Sequence, residues 1–110
     1  ILVEDTLQSI SHPHILAAGD IATMVNYQRP KAGVFAVRQG QPLFKNWQNI
    51  LTQQPLQSYT PQAKYLALIG TGDRKAIASW GSWGWRSALC WWLKEYLDRK
   101  FMNQFINLYL

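Results

Sequence analysis

The residues of this chain whose types and spacing could do chemistry together are Gly19-Asp20 and, further on, Lys31-Ala32-Gly33-Val34. The apolar run Ile15-Leu16-Ala17-Ala18 leads into Gly19 without polar alternation, as in a strand buried on both faces. Gly19 would let a ligand approach the backbone closely, and Asp20 would hold an acceptor-only carboxylate at the strand's carboxyl end. Open α/β sheets bind ligands there. Lys31-Ala32-Gly33-Val34 opens a helix, whose first N–H groups are unpaired and carry partial positive charge. Ala32, Gly33 and Val34 are compact enough for an anionic group to reach those amides, and Lys31 adds a cation. Arg38, a fixed planar cation, could face an anionic group or lie in a surface ion pair.

Other chemistries find less support. His12 and His14 flank Pro13, but no cysteine lies near them and only one carboxylate pair precedes them, so a metal site is not expected. Cys90 is the only cysteine, which leaves no internal disulfide or Cys-x-x-Cys and fits a reducing, cytoplasmic compartment. The net charge is +5, yet basic residues are scattered from Arg29 to Lys100 with no run longer than two. A solvated surface, or one faced by an acidic domain, fits better than nucleic-acid binding. No signal peptide is visible, and no apolar run approaches the ~18 residues of a membrane span.

The elements that must position these residues follow from periodicity and punctuation. Residues 1–9 read as a strand or extended lead-in, 11–14 as a turn set by Pro13, and 21–31 as a polar loop. A helix is expected from Ala32 to Gln53, with Val34, Val37, Phe44, Trp47, Ile50 and Leu51 forming its core-facing stripe. Gly40 and Pro42 predict a kink or two shorter helices. Residues 54–62 read as a linker rich in proline and polar residues. Two β-prone runs, Lys64 to Ile69 and Lys75 to Ser79, flank Gly70-Thr71-Gly72-Asp73 as a hairpin, and Ala67, Ala76 and Ala78 suit close packing. Trp80-Gly81-Ser82-Trp83-Gly84-Trp85 reads as a loop whose indoles could stack on a ligand, sit at a membrane interface or be covered by another domain. A last helix, Ser87 to Phe105, carries Leu89, Leu93, Leu97, Phe101 and Phe105 at every fourth residue. Lys94, Glu95, Asp98 and Arg99 lie on its other side, so it must cover a core, a partner or a membrane surface.

The string HPHILAAGDIA resembles the second flavin motif of two-dinucleotide-domain flavoproteins, and AGVFAVRQG resembles the helix start that faces the isoalloxazine ring. Together they are similar to the pyridine-nucleotide:disulfide oxidoreductase superfamily on its type II NADH dehydrogenase-like branch. The stretch SHPHILAAGDIATMVNYQRPKAGVFAVRQGQPLF is most like the flavoprotein module fused to selenide, water dikinase in some bacteria. The resemblance runs from about Thr6 to about Phe105. It implies FAD as cofactor, with Asp20 on the ribityl chain and Gly19, Lys31, Ala32, Gly33 and Val34 around the flavin. NAD(P)H would be the co-substrate, Arg38 a residue toward the electron acceptor, and no residue of this chain catalytic by itself.

On that resemblance the chain is an α+β fragment of an α/β flavoprotein. Residues 1–53 would end the FAD-binding domain, 54–62 link, and 63–110 form a C-terminal hairpin and amphipathic-helix region. The Gly-rich fingerprints for both dinucleotides are missing, since Gly70-Thr71-Gly72 lacks a third glycine and reads as a turn. The implied partners are the N-terminal FAD and NAD domains, a fused kinase-like domain and a second copy of the fragment, which alone would be inactive. Type II NADH dehydrogenases carry Ala-Gln-x-Ala-x-Gln-Gln-Gly here, its glutamines lining the quinone site; this chain has Val34 and Arg38 in those places, so a quinone acceptor does not follow. Their C-terminal helices hold the enzyme on the membrane, whereas the polar face here is mixed in charge, leaving a peripheral membrane location open. The alternative is a non-catalytic module that docks a partner or a membrane through the tryptophan-rich segment and last helix.

Overall fold

The computed structural model describes residues 1–106, which form two compact units that divide after Ala63. Both mix helix and sheet, giving a small α+β architecture.

In the first unit, β1 (Leu2–Val3) pairs in parallel with β2 (Thr23–Met24), and the long helix α1 (Gly33–Leu51) follows. Between the strands the chain turns back on itself: Glu4 N donates to Gln8 O and Leu7 N to Glu4 O. Leu7 sits there at φ 66 and is fully buried. A left-handed leucine costs about 1–2 kcal/mol, comparable to the ~1.5–3 kcal/mol from burying its side chain. The core that retains it is small: Val3, Leu7, Ala17, Ala22 and Met24, with Ala18, Tyr27, Leu43 and Tyr59 packed around them.

Three expectations are corrected here. Ile15 to Ala18 is not a strand buried on both faces: it makes one isolated bridge, Leu16 to Gln8, and Ile15 is 42% exposed. A strand covered on both faces needs neighbours on both edges, and this stretch has one. β2 lies instead beyond the Gly-Asp pair, inside the expected polar loop. The helix does not split in two, since α1 is continuous through Gly40 and Pro42. Its buried face is also another one: Phe35, Gln39, Asn46 and Asn49 point inward, whereas Val37, Phe44, Trp47 and Leu51 are exposed.

Residues 54–62 run along the first unit rather than away from it. Asn46 bonds Gln57 through both backbone groups, Tyr59 N donates to Asp5 O, Arg29 Nε donates to Gln62 O, and Pro61 is buried.

The second unit is a three-stranded antiparallel sheet, β3 (Leu66–Gly70), β4 (Ala76–Trp80) and β5 (Trp83–Ser87), followed by α2 (Ala88–Asn103). The expected hairpin is present, with Gly70 opposite Ala76. The tryptophan-rich segment is a second hairpin rather than a loop, with Trp80 opposite Trp83. Gly81, at φ 60, takes the first of two central turn positions, the type II′ pattern that keeps strand twist. Gly70, Ala76 and Ala78 share one sheet face, and a Cβ on Gly70 would lie 3.9 Å from Lys94 Cε of α2, so small residues let the helix approach. Ala67, opposite Ser79, is on the other face.

Ser87 caps α2, its Oγ accepting from Cys90 N at 3.1 Å. Ser87→Ala should cost about 1 kcal/mol, read as a lower thermal midpoint of the far-UV signal. On the surface, the Thr71 hydroxyl, with Arg86 beside it, holds the Asp73 carboxyl below its ordinary value, and Asp98 raises the Lys94 ammonium. Among the described residues of this unit only Ala76 and Cys90 are buried. The α2 stripe from Leu89 to Phe105 is open, and Trp83 is 82% exposed.

Candidate functional site

Gly19, Asp20 and Ile21 form a single 3-10 turn, entered from extended Ala18 and left through Ala22, whose N–H donates to Gly19 O. Gly19 has φ 74, and a Cβ there would meet Ala36 Cβ of α1 at 3.6 Å. The space is adequate for a side chain; the backbone conformation is what favours glycine. The turn is tied to α1 by a side chain: Gly19 N donates to Gln39 Oε1 at 2.7 Å, and Gln39 is buried.

This tether places the turn against the start of α1, and a recess opens between them. Its lining includes Gly19, Asp20, Lys31, Ala32, Phe35 and Gln39. Tyr27 and Arg29 close another part, Arg29 Cζ lying 5.9 Å from the Tyr27 ring centroid. Ala32 precedes the helix in extended conformation with no side-chain cap, and the first turn holds no acidic residue, so its leading N–H groups are left for water or a ligand. The Asp20 carboxylate is exposed and no residue of the described chain bonds it.

The structure therefore brings Gly19, Asp20, Lys31 and Ala32 to one recess, while Gly33, Val34 and Arg38 are not in its lining. Gly33 is exposed at the first helical position, Val34 half-buried, and Arg38 exposed one turn further on. Lys31 is not a free cation. Its Nζ donates to Ala22 O and, at 3.2 Å, to Thr23 Oγ1, binding the segment before α1 to β2.

Gln39, Phe35, Tyr27 and Arg29 were not singled out in the sequence. Periodicity gave no signal for Gln39, since the apolar stripe marks the opposite face of α1. Gln39→Met should leave Gly19 N–H unpaired, so that it exchanges with solvent about tenfold faster, a loss of ~1.4 kcal/mol. Gln39→Glu, which keeps an acceptor, should retain the protection; both are readable by amide exchange.

Elsewhere, the His12 and His14 rings meet edge to face at 6.0 Å, and His12 Nδ1 bonds Ser11 Oγ. No group of three or more His, Cys, Asp or Glu side chains converges among the described residues. Nor is any described helix long and apolar enough to cross a membrane.

No protein-family model matches the chain, and no curated protein does.

Proposed function

We propose that this chain is the C-terminal part of an FAD-dependent NAD(P)H oxidoreductase, and that it supplies the ribityl and isoalloxazine side of the flavin site. The observation that carries the reading is the Gln39 tether. It holds an unengaged carboxylate, Asp20, and the uncapped start of α1 at one recess. The donor set suits a flavin: an anionic acceptor for ribityl hydroxyls and free amides for an electron-rich ring edge.

Within this reading Asp20 accepts from a ribityl hydroxyl, and Gly19 keeps the backbone low beneath it. The leading N–H groups of α1, at Ala32, Gly33 and Val34, stabilise negative charge on the ring. Lys31 fixes the approach to α1 through β2 and leaves its residual positive charge nearby. Bound FAD supplies the hydride chemistry itself. Arg38, exposed on the next turn, is left for an anionic acceptor; with Val34 and Arg38 where glutamines would stand, a quinone is not proposed.

The remaining flavoprotein domains would carry the pyrophosphate and nicotinamide sites, and the whole would be attached to a kinase-like domain of selenophosphate synthesis. The isolated chain, lacking a pyrophosphate loop, should bind FAD more weakly than about 1 µM. Fluorescence titration reads this, together with flavin absorbance of the longer protein and its bleaching by NAD(P)H. A longer protein that is colourless after FAD addition would overturn the proposal.

A second reading is favoured by the second unit, where Trp80, Trp83, Trp85, Leu89 and Trp92 are exposed. Seven basic residues against three acidic ones also give it most of the chain's positive charge. A non-catalytic module would dock a protein or an anionic membrane with that surface. Colourless longer protein that still pulls down a partner, or sediments with anionic vesicles, would favour it.

A further inference from the structure

We propose that α1 pairs antiparallel with α1 of a second copy of this chain, along a stripe of Gly33, Val37, Gly40, Phe44, Trp47 and Leu51. The proposal is independent of the flavin reading. These six residues follow one another at alternating intervals of four and three, the spacing of a helix–helix seam. All six are exposed, Val37, Phe44, Trp47 and Leu51 by 55, 62, 59 and 76%. They lie across the helix from the buried face that carries Phe35, Gln39, Asn46 and Asn49. α1 thus has an inward face that the first unit covers and an outward apolar stripe that it does not.

Side-chain size says which occupant fits. The amino-terminal half of the stripe is small (Gly33, Val37, Gly40), and the carboxyl-terminal half is large (Phe44, Trp47, Leu51). A parallel copy would set large against large and leave a gap between the small residues. An antiparallel copy sets Phe44 over Gly40, Trp47 over Val37 and Leu51 over Gly33, and the same pairs recur across the two-fold axis. Every layer then holds one large and one small side chain, as close packing requires.

Gly40 adds a second argument. An interior glycine weakens a helix, and a Cβ at Gly40 would meet nothing within 4 Å, so no neighbour in this chain requires its absence. A close-packed Phe44 from another copy would. The stripe is bordered by uncharged Gln41 and Gln48, so like charges do not face each other at its edge. Two aromatic and two aliphatic side chains at these exposures offer on the order of 1,000 Å² over both copies, the lower bound for a specific interface.

The test is sedimentation equilibrium of the chain as it stands. A concentration-dependent dimer is expected, and Gly40→Phe should weaken it by about tenfold or more while retaining helical circular dichroism. Exchanging the sizes, Gly40→Phe with Phe44→Ala, should restore it. An independent check on fold mixes Val37→Cys chains with Trp47→Cys chains: a disulfide between unlike chains forms only in the antiparallel register. A monomer at ~100 µM would overturn the proposal. So would a dimer indifferent to Gly40→Phe, a double variant that stays monomeric, or a dimer that Leu89→Asp abolishes instead, which assigns association to α2.

Discussion

Asn46→Leu should lower the stability of the first unit more than any other single substitution in it. Asn46 is 1% exposed, and its amide joins three segments. Nδ2 donates to Thr6 O at 3.0 Å and to Gln57 O at 2.7 Å, while Oδ1 accepts from Gln57 N at 2.8 Å. Bonding both backbone groups of Gln57 makes the side chain act as a short strand, fixing residues 54–62 to α1. Leucine has similar bulk but offers neither donor nor acceptor, so two carbonyls and one N–H lose their partners. At ~1–1.5 kcal/mol per bond the loss is about 3–4 kcal/mol. At ~4–8 °C per kcal/mol for a domain of this size, the midpoint falls by roughly 15–25 °C. Thermal unfolding followed at 222 nm checks it; a fall of under ~5 °C would mean that water takes the amide's place.

The same residue shows why α1 was only half legible. Its existence was readable from the apolar spacing and the turn chemistry around it, and the helix spans Gly33–Leu51 against an expected 32–53. Its inward face was not. Apolar stripes are read as core, but in this unit the inward positions 39 and 46 are amides that bond backbone of other segments, and Asn49 Nδ2 donates to Asn46 Oδ1 beside it. Such pairing depends on which loop reaches the helix, and no periodicity records that. Trp47 and Phe44 were assigned inward for the same reason and are exposed. Continuity through Pro42 has a similar origin. Proline removes one N–H donor, and packing of half-buried Leu43 against the core of the unit keeps the helix unbroken.

In the second unit local chemistry was the better guide. The first hairpin and the start of the last helix at Ser87 were legible because short-range turns and caps set them. The second hairpin was missed although Gly81-Ser82 between Trp80 and Trp83 is a two-residue turn signal; three indoles drew the reading toward a loop. At the recess, Gly19-Asp20 and the start of α1 were legible as a pair, but the strand expected to carry Asp20 was not formed. The turn is held instead by Gln39, twenty residues away in sequence.

That arrangement sharpens what Asp20→Ala should do. In a flavin site the carboxylate accepts a charge-assisted bond from a ribityl hydroxyl, which contributes ~1.5–3 kcal/mol. Its loss should lower FAD affinity of the longer protein by roughly 10- to 100-fold. The competing role is a local one, capping the residues that follow. Asp20, however, lies inside the 3-10 turn, Ala18 occupies the cap position, and no side-chain bond caps that turn. The carboxylate is exposed, so without cofactor its removal should change stability by no more than about 0.5 kcal/mol. Two measurements therefore separate the roles: the thermal midpoint of the 110-residue chain without cofactor, and flavin content with FAD titration of the longer protein. The flavin role predicts an unchanged midpoint in the first and a large loss in the second. Full flavin occupancy in the variant, with the midpoint lowered equally with and without FAD, would leave Asp20 a structural residue and remove it from the site.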